Sequence, residues 1–159
     1  MTNIDNNRPP KLYYFAERDK LERALNHGEF RLAPPQFPLL AATDPHFLVL
    51  SLAQKPDGDL FEGKSVHGTC LVIHDTEAFG ERVHRAAQRT LPNWAGIDAA
   101  MSYGKPSPLG KLFSKERAHA AESEWRFAWR PMQARGAANP VVIHLGSIAD
   151  IAELRELSH

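Results

Sequence analysis

The chain has 159 residues, of which 43% are hydrophobic and 24% are charged. This length and composition are typical of one globular domain with a single core, and they exclude collagenous, disordered and disulfide-rich chains. Because 19 basic residues balance 19 acidic ones, the chain lacks the broad positive field that supports sequence-independent binding to nucleic acids or anionic membranes.

Cysteine content and apolar runs indicate the compartment and the domain limits. The single cysteine, Cys70, cannot form an intrachain disulfide, and no run of about 18 apolar residues is present to cross a membrane. Residues 1–10 are polar, lack the apolar stretch of a signal peptide and predict a disordered leader. We therefore expect a cytoplasmic protein with one domain over residues 11–159.

The N-terminal part of the domain combines strands with one helix. Aromatic and apolar residues over 11–15 predict a strand, and apolar positions three or four apart predict a helix over 19–26 that ends at Gly28. Alternating apolar residues over 29–33 predict a second strand. Four prolines over 34–45 then predict a loop that its apolar side chains hold against the core.

The middle of the chain contains the most apolar segments. A nearly continuous apolar run over 47–53 predicts a strand covered on both faces, and the hydroxyl of Ser51 is the only interruption. Another apolar strand is predicted over 66–74. Asp75 is typical of a helix N-cap, and the apolar stripe after it predicts a helix that runs to about Thr90.

The C-terminal part adds shorter elements. We predict a brief strand over 101–104, a short helix within 109–121, and strands over 124–129 and 141–145. Ser147 and the apolar residues after it predict a terminal helix. Because strands and helices do not alternate regularly, the sequence predicts an α+β fold, with one mixed and mostly antiparallel sheet and three to four helices.

Common catalytic signatures are absent from the sequence. It contains no GxxxxGK[ST], GxGxxG, GxSxG or HExxH motif and no CxxC pair. The eight histidines are scattered along the chain, whereas a metal site needs several converging donors. We therefore expect no metal site.

The strongest local feature is a pair of glutamates, Glu122 and Glu124, at the start of a predicted strand. On an extended chain the two side chains point to one face, where one can orient a hydroxyl while the other stabilises a developing positive charge. The alternative is an exposed edge of ion pairs with Arg126, or with Lys115 and Arg117, which contributes little stability. A weaker alternative is a magnesium-dependent nuclease that uses both glutamates and Lys115.

Tyrosine and serine side chains are further candidates for a binding site. Tyr13, Tyr14 and Tyr103 each offer a stacking face and a hydroxyl, with packing in the core as the alternative role. Ser51 either bonds to a neighbouring backbone group or points its hydroxyl into a cleft. Cys70 lies in a predicted buried strand, and we expect it to be inert.

Taken in order, these segments resemble those of a known family of bacterial and phage proteins. The matching segments are the aromatic strand at 12–15, Leu50-Ser51, the HGTC segment at 67–70, Tyr103 and the Glu-x-Glu-Trp-Arg strand at 122–126. From Leu12 to about Leu157 the chain is similar to the family known as domain of unknown function 2971. That family implies no general biochemical activity.

The same layout is similar to the Arg-Ser-Glu arrangement of ADP-ribosyltransferases. In those enzymes the Arg binds the phosphates of NAD, the Ser strand shapes the nicotinamide site, and the Glu holds the ribose while an oxocarbenium-like centre forms. The resemblance implies an ADP-ribosyltransferase-like fold that binds NAD. It assigns these roles to Ser51 and Glu124, with Glu122 helping to activate the acceptor.

The resemblance also implies which residues bind the cofactor. The NAD cleft would be bounded by Tyr13 and Tyr103, beside the candidate serine and glutamate. Ala16 stands where family members often carry Arg. The resemblance therefore places the phosphate clamp at Arg18 or Arg31.

A second class of function stays open. The chain could be a non-catalytic binding or regulatory module, such as an immunity or phage accessory protein, that acts through a protein surface. Zero net charge, Ala16 and the proline-rich loop over 34–45 favour this function. Its partner would be a protein, whereas the first function requires a nucleotide.

Overall fold

The computed structural model describes residues 7–35, 46–56, 68–133 and 136–156. Within these ranges the chain forms a six-stranded antiparallel sheet, two further strand pairs, two α-helices and two short 3-10 helices. The predicted α+β fold with a mostly antiparallel sheet is confirmed. The strands are β1 (Leu12–Tyr14), β2 (Glu29–Leu32), β3 (Leu48–Ala53), β4 (Thr69–Ile73), β5 (Trp94–Ala100), β6 (Ser102–Tyr103), β7 (Ser114–Lys115), β8 (Glu124–Pro131), β9 (Val141–His144) and β10 (Ala152–Glu156); the α-helices are α1 (Arg18–His27) and α2 (Thr76–Thr90), and the 3-10 helices span Lys111–Phe113 and Arg117–Glu122.

The six-stranded sheet has the order β10-β4-β1-β3-β8-β5, and every neighbouring pair in it is antiparallel. Separately, β2 pairs with β9 in antiparallel fashion and β6 pairs with β7 in parallel. Although β1, β3 and β8 are far apart in sequence, they are consecutive in the sheet. The aromatic, Ser-bearing and Glu-bearing strands therefore lie side by side.

One face of the sheet packs against both α-helices and carries the main apolar core. Side chains alternate along β8, so Trp125, Phe127 and Trp129 are buried on this face. The ring of Phe79 in α2 meets Phe127 edge to face with 5.9 Å between centroids, and Phe30 of β2 meets Phe79 at 5.5 Å. The predicted period-two pattern of β8 is confirmed.

The ends of both α-helices are set by residues that the sequence predicts. Gly28 has a φ of 62°, a left-handed conformation that favours glycine, and its N–H donates to the carbonyl of Ala24. The side chain of Asp75 accepts a hydrogen bond from the N–H of Ala78 at 3.0 Å and caps α2. The predicted helix bounds are therefore confirmed to within a residue or two.

The opposite face of the sheet is divided between two small apolar clusters. On β3, Ser51 lies between Ala53 of the first cluster and Val49, which packs against the second. Polar side chains of β3 and β8 therefore lie between the clusters, and they form the candidate site. The clusters are Tyr13, Phe15, Ala53, Cys70 and Val72 on one side, and Ala99, Phe113 and Ala128 on the other.

The predicted terminal helix after Ser147 is wrong. Ile148 and Ile151 are buried in the main core, but the chain turns between them and then forms β10, which pairs with β4 along its whole length. Residues 152–156 also fit a period-two pattern. Pairing with the open edge of β4 satisfies their backbone groups and outweighs the local preference for a helix.

Other differences from the sequence-based expectations are smaller. The sequence does not predict β5, because its letters WAGIDAA are poor in strand-favouring residues, yet all seven residues pair with β8. The short helix predicted within 109–121 is replaced by two 3-10 helices around β7. Residues 36–45 of the predicted loop and 66–67 of the predicted strand lie outside the described residues.

The N-terminal segment contacts the domain through Arg8. The first six residues of the predicted leader lie outside the described residues. The Arg8 guanidinium donates to both carboxylate oxygens of Asp98 at 2.8 and 2.9 Å and to Glu77 at 2.8 Å. The ring nitrogens of His84 and Trp125 also lie 2.8 Å from this carboxylate. Arg8 therefore connects the N-terminal segment to α2 and β5.

Candidate functional site

Glu124, the first residue of β8, is the centre of a buried ionic cluster. Its side chain has no exposed surface. Lys115 Nζ donates to its Oε1 at 2.6 Å, while Arg126 Nε and the Ser51 hydroxyl donate to its Oε2 at 2.6 and 2.7 Å. The carboxylate is therefore held by two cations and one hydroxyl.

The register of the sheet brings Ser51 and Glu124 together. In the β3–β8 ladder Ala53 lies opposite Glu124 and Ser51 lies opposite Arg126, so these side chains share one face. Ser51 is therefore the diagonal neighbour of Glu124 across the two strands, and polar side chains can bridge a diagonal of this kind. The Ser51 hydroxyl bonds to a carboxylate rather than to a neighbouring backbone group.

Glu122 reaches the same cluster from a different element. It ends the second 3-10 helix, and Ser123 follows it in a left-handed conformation with φ 44°. The prediction that both glutamates project from one extended strand is therefore wrong. They meet because Lys115 Nζ lies 2.7 Å from an oxygen of Glu122 and 2.6 Å from an oxygen of Glu124.

The two glutamates do pair with Lys115 and Arg126, as in their alternative role, but the group is buried rather than exposed. The side chains of Lys115, Glu122 and Arg126 are 7%, 11% and 9% exposed. Two acidic and two basic groups therefore balance one another in a region shielded from water. Removal of any one charge there leaves the buried group with one uncompensated charge.

Tyr103 completes the cluster from β6. The parallel pairing of β6 with β7 places Tyr103 opposite Lys115, and the Tyr103 hydroxyl accepts a hydrogen bond from the N–H of Glu124 at 2.9 Å. Burial raises the pKa of the Tyr103 hydroxyl, so the group stays protonated at neutral pH and keeps a proton to donate. Tyr103 and Ser51 are half-buried, so the cluster reaches the surface through them.

The Glu124 carboxylate is ionised in this environment. Burial raises the pKa of the carboxyl, but the charges of Arg126 and Lys115, with the hydrogen bonds from Lys115 and Ser51, lower that pKa below its ordinary value. A carboxylate has about four acceptor positions, and the three bonds from described residues occupy three of them. The ionised carboxylate can therefore stabilise a positive charge that develops beside the cluster.

Tyr13 lies on the same face of the sheet, two strands from Glu124. In the β1–β3 ladder Tyr13 is opposite Ala53, which is itself opposite Glu124. The three residues form one row across the strands, and the strand spacing separates Tyr13 from Glu124 by about 10 Å. Tyr13 is 8% exposed and packs in the first apolar cluster, so the structure supports its alternative role, packing in the core.

The two arginines predicted for the phosphate clamp lie elsewhere in the fold. Arg18 begins α1 and pairs at 3.0 Å with Glu156 of β10, at the far edge of the sheet from β5. Arg31 is exposed on β2, opposite Val142 of β9. Within the described ranges, no hydrogen bond or ion pair links either arginine to the cluster around Glu124.

The cations at the site are instead Lys115 and Arg126, which the sequence indicates as ion-pair partners of the glutamates but not as the phosphate clamp. The position of Arg126 can be interpreted from the sequence, because it is the one basic residue in the stretch EWRFAW. Side chains alternate along a strand, so Arg126 is expected on the same face as Glu124. Its Nη1 also donates to the carbonyl of Leu112 at 2.9 Å. Lys115 lies outside this alternating pattern, because a 3-10 helix separates it from Glu124.

Comparisons with known proteins found no match, so the candidate site is interpreted from its geometry alone. No family model matches the sequence, and no curated protein and no solved structure matches the chain. The described residues contain no group of three or more His, Cys, Asp or Glu side chains that could hold a metal ion. None of the helices in the described ranges has the length and apolar character to span a membrane.

Proposed function

We propose that the chain is an NAD-binding, ADP-ribosyltransferase-like domain whose site is the cluster around Glu124. The observation that carries the proposal is the 2.7 Å hydrogen bond from the Ser51 hydroxyl to the Glu124 carboxylate on the neighbouring strand. Cleavage of a glycosidic bond proceeds through an oxocarbenium-like state, which an ionised carboxylate beside the sugar stabilises. Glu124 supplies an ionised carboxylate of this kind.

The order of the strands supports the same proposal. One ligand can contact an aromatic strand, a Ser-bearing strand and a Glu-bearing strand only if the three lie side by side. β1, β3 and β8 are consecutive in the sheet, and Tyr13, Ser51 and Glu124 lie on the same face. This face is separate from the one that packs against the α-helices.

Each catalytic residue has a defined task in the proposed reaction. Glu124 stabilises the positive charge that develops as the bond from C1′ to the nicotinamide nitrogen breaks. The electron pair of that bond leaves with nicotinamide. The acceptor forms the new bond to C1′ and transfers its proton to Glu122, which lies beside Glu124 through their shared Lys115.

The available binding groups indicate a low affinity for NAD. Tyr103 offers an aromatic surface for the nicotinamide or its ribose, whereas Tyr13 is buried in an apolar cluster. Within the described cluster, both cations are already bound to glutamates, so the diphosphate meets no dedicated clamp. We expect a dissociation constant of about 1 mM, which corresponds to about 4 kcal/mol of binding free energy.

NMR chemical shifts and nicotinamide release, both measured with NAD at millimolar concentration, test the proposal. Amide resonances around Ser51 and Tyr103 should shift on titration. Ser51→Ala leaves the two cations on Glu124 and should slow nicotinamide release by about tenfold or more. Ser147→Ala, in the turn before β10, is the matched control and should leave the rate unchanged. Equal rates for the two serine variants, or resonances that do not move, would overturn the proposal.

A non-catalytic binding module is the second candidate, and the complete burial of Glu124 favours it. In this function the cluster, whose charges balance internally, fastens the segment that carries Lys115 and Glu122 to the sheet. In that case Glu124→Gln lowers the free energy of unfolding, while NAD leaves the spectrum of the unaltered protein unchanged. The NMR titration therefore separates the two functions.

A further inference from the structure

β5 forms one end of the six-stranded sheet, and in the described part of the chain only β8 pairs with it. The N–H of Met101 donates to the carbonyl of Glu124 in β8 at 2.9 Å. The carbonyl of Asn93 accepts from the N–H of Met132, the residue after β8, at the same distance. Because alternate residues of an antiparallel strand bond to the same neighbour, the odd-numbered residues of β5 bond to β8. The main-chain groups of Gly96, Asp98 and Ala100 therefore point away from the sheet.

The outer side of β5 lacks the features that discourage edge pairing. The strand at the other end of the sheet, β10, has the charged sequence AELRE, and charged side chains are a common protection of sheet edges. β5 carries one charged residue, Asp98, and Arg8 binds its carboxylate at 2.8 Å on the helix-bearing face. On the other face Ile97 is 41% exposed. β5 is therefore a partly apolar edge whose single charged side chain is paired with Arg8.

We propose that β5 pairs in antiparallel fashion with β5 of a second copy of this chain, in a register centred on Ile97. In this register the two copies of Ile97 face each other as a non-hydrogen-bonded pair. Gly96 of each copy exchanges main-chain hydrogen bonds with Asp98 of the other. The register uses all seven residues of β5 and forms about six main-chain hydrogen bonds between the copies.

Charge and side-chain size favour a second copy as the occupant. The formal net charge of zero means that two copies do not repel each other at long range. Asp98 lies opposite Gly96 of the other copy, so no like charges meet, and Ala95 lies opposite Ala99. One strand pair buries less surface than a standard interface, so the dimer should be weak and dependent on concentration.

Disulfide trapping tests the register. Two residues of a non-hydrogen-bonded antiparallel pair have their Cα atoms about 4.5 Å apart, which a disulfide can bridge. Ile97→Cys should therefore form a covalent dimer under mild oxidation. Ala95→Cys is the matched control, because the two copies of residue 95 would lie about 13 Å apart and should stay unlinked. Cys70 does not interfere, since it is buried and burial raises its pKa to about 11.

Analytical ultracentrifugation tests the association without a new cysteine. Between about 10 µM and about 1 mM, the apparent mass should rise from 17.8 kDa towards twice that value. Ile97→Glu places two carboxylates face to face and should keep the protein monomeric, whereas Val142→Glu, at another exposed apolar residue, should dimerise normally. A constant monomer mass, equal behaviour of the two variants, or trapping through residue 95 would overturn the proposal.

Discussion

Glu124→Gln tests whether the buried cluster behaves as one coupled ionic unit. The substitution keeps the shape of the side chain but removes the charge that Lys115 and Arg126 share. Those two side chains are 7% and 9% exposed, and Glu122 is the acidic group of the described cluster that would remain to compensate their charges. Loss of one partner from a buried ion pair costs about 3–5 kcal/mol. For a chain of this length, the midpoint of thermal unfolding should then fall by on the order of 10 °C.

A double-mutant cycle with Lys115→Met separates the ionic coupling from the loss of packing. Lys115→Met alone leaves two buried carboxylates close together without the cation between them. The double variant removes one charge of each sign, so its cost should be smaller than the sum of the single costs by at least about 1 kcal/mol. Urea unfolding with unchanged m-values provides the free energies.

Two results would refute this reasoning. A cost below about 1 kcal/mol for Glu124→Gln would mean that the group behaves as a solvated surface pair. Strict additivity of the two substitutions would mean that Lys115 and Glu124 do not interact, despite the 2.6 Å between them. Ser51→Ala is the control, because it removes a neutral donor from the same carboxylate and should cost about 1 kcal/mol.

Contacts elsewhere in the fold lead to further predictions, each measured by chemical denaturation. Arg8→Ala removes both of its bonds to Asp98 and should lower the free energy of unfolding by about 2 kcal/mol; an unchanged value would mean that the N-terminal segment does not stabilise the domain. Burial raises the pKa of the Asp98 carboxyl, but the bonds from the neighbouring ring nitrogens and the guanidinium lower it far below its ordinary value. Stability should therefore be constant near neutral pH and fall as the pH drops below about 4, and Asp98→Asn should flatten that slope. Gly28→Ala should cost at least about 1 kcal/mol, because φ is 62° and a Cβ would clash with a neighbouring backbone oxygen, whereas Gly136→Ala, in open space, should be nearly neutral.

The sequence predicts those elements whose side chains repeat with a clear period. Alternation identifies β2 and β8, and the apolar runs identify β3 and β4, because the pattern of burial on a strand is local. Helix ends are also local, since Gly28 and Asp75 act on backbone groups only a few residues away. The same periodicity fails at 152–156, where the letters fit a helix or a strand equally well.

The candidate site was predictable only in part. Glu122 and Glu124 attract attention by spacing, and Ser51 does so as a hydroxyl in an apolar strand. The prediction that the two glutamates share the face of one strand is wrong, because Glu122 ends a 3-10 helix and Ser123 after it is left-handed. Their meeting depends on Lys115, which no local pattern connects to them.

The sequence by itself determined the α+β class, the strands and helices with strong periodicity, and the residue types available for chemistry. Only the tertiary structure decided that β10 is a strand, that β5 closes one end of the sheet, and that Ser51 bonds to a glutamate 73 residues away. The physical reason is that strand pairing and charge compensation join groups that are distant along the chain. A period read within one segment reports which side chains are buried, but not which partner buries them.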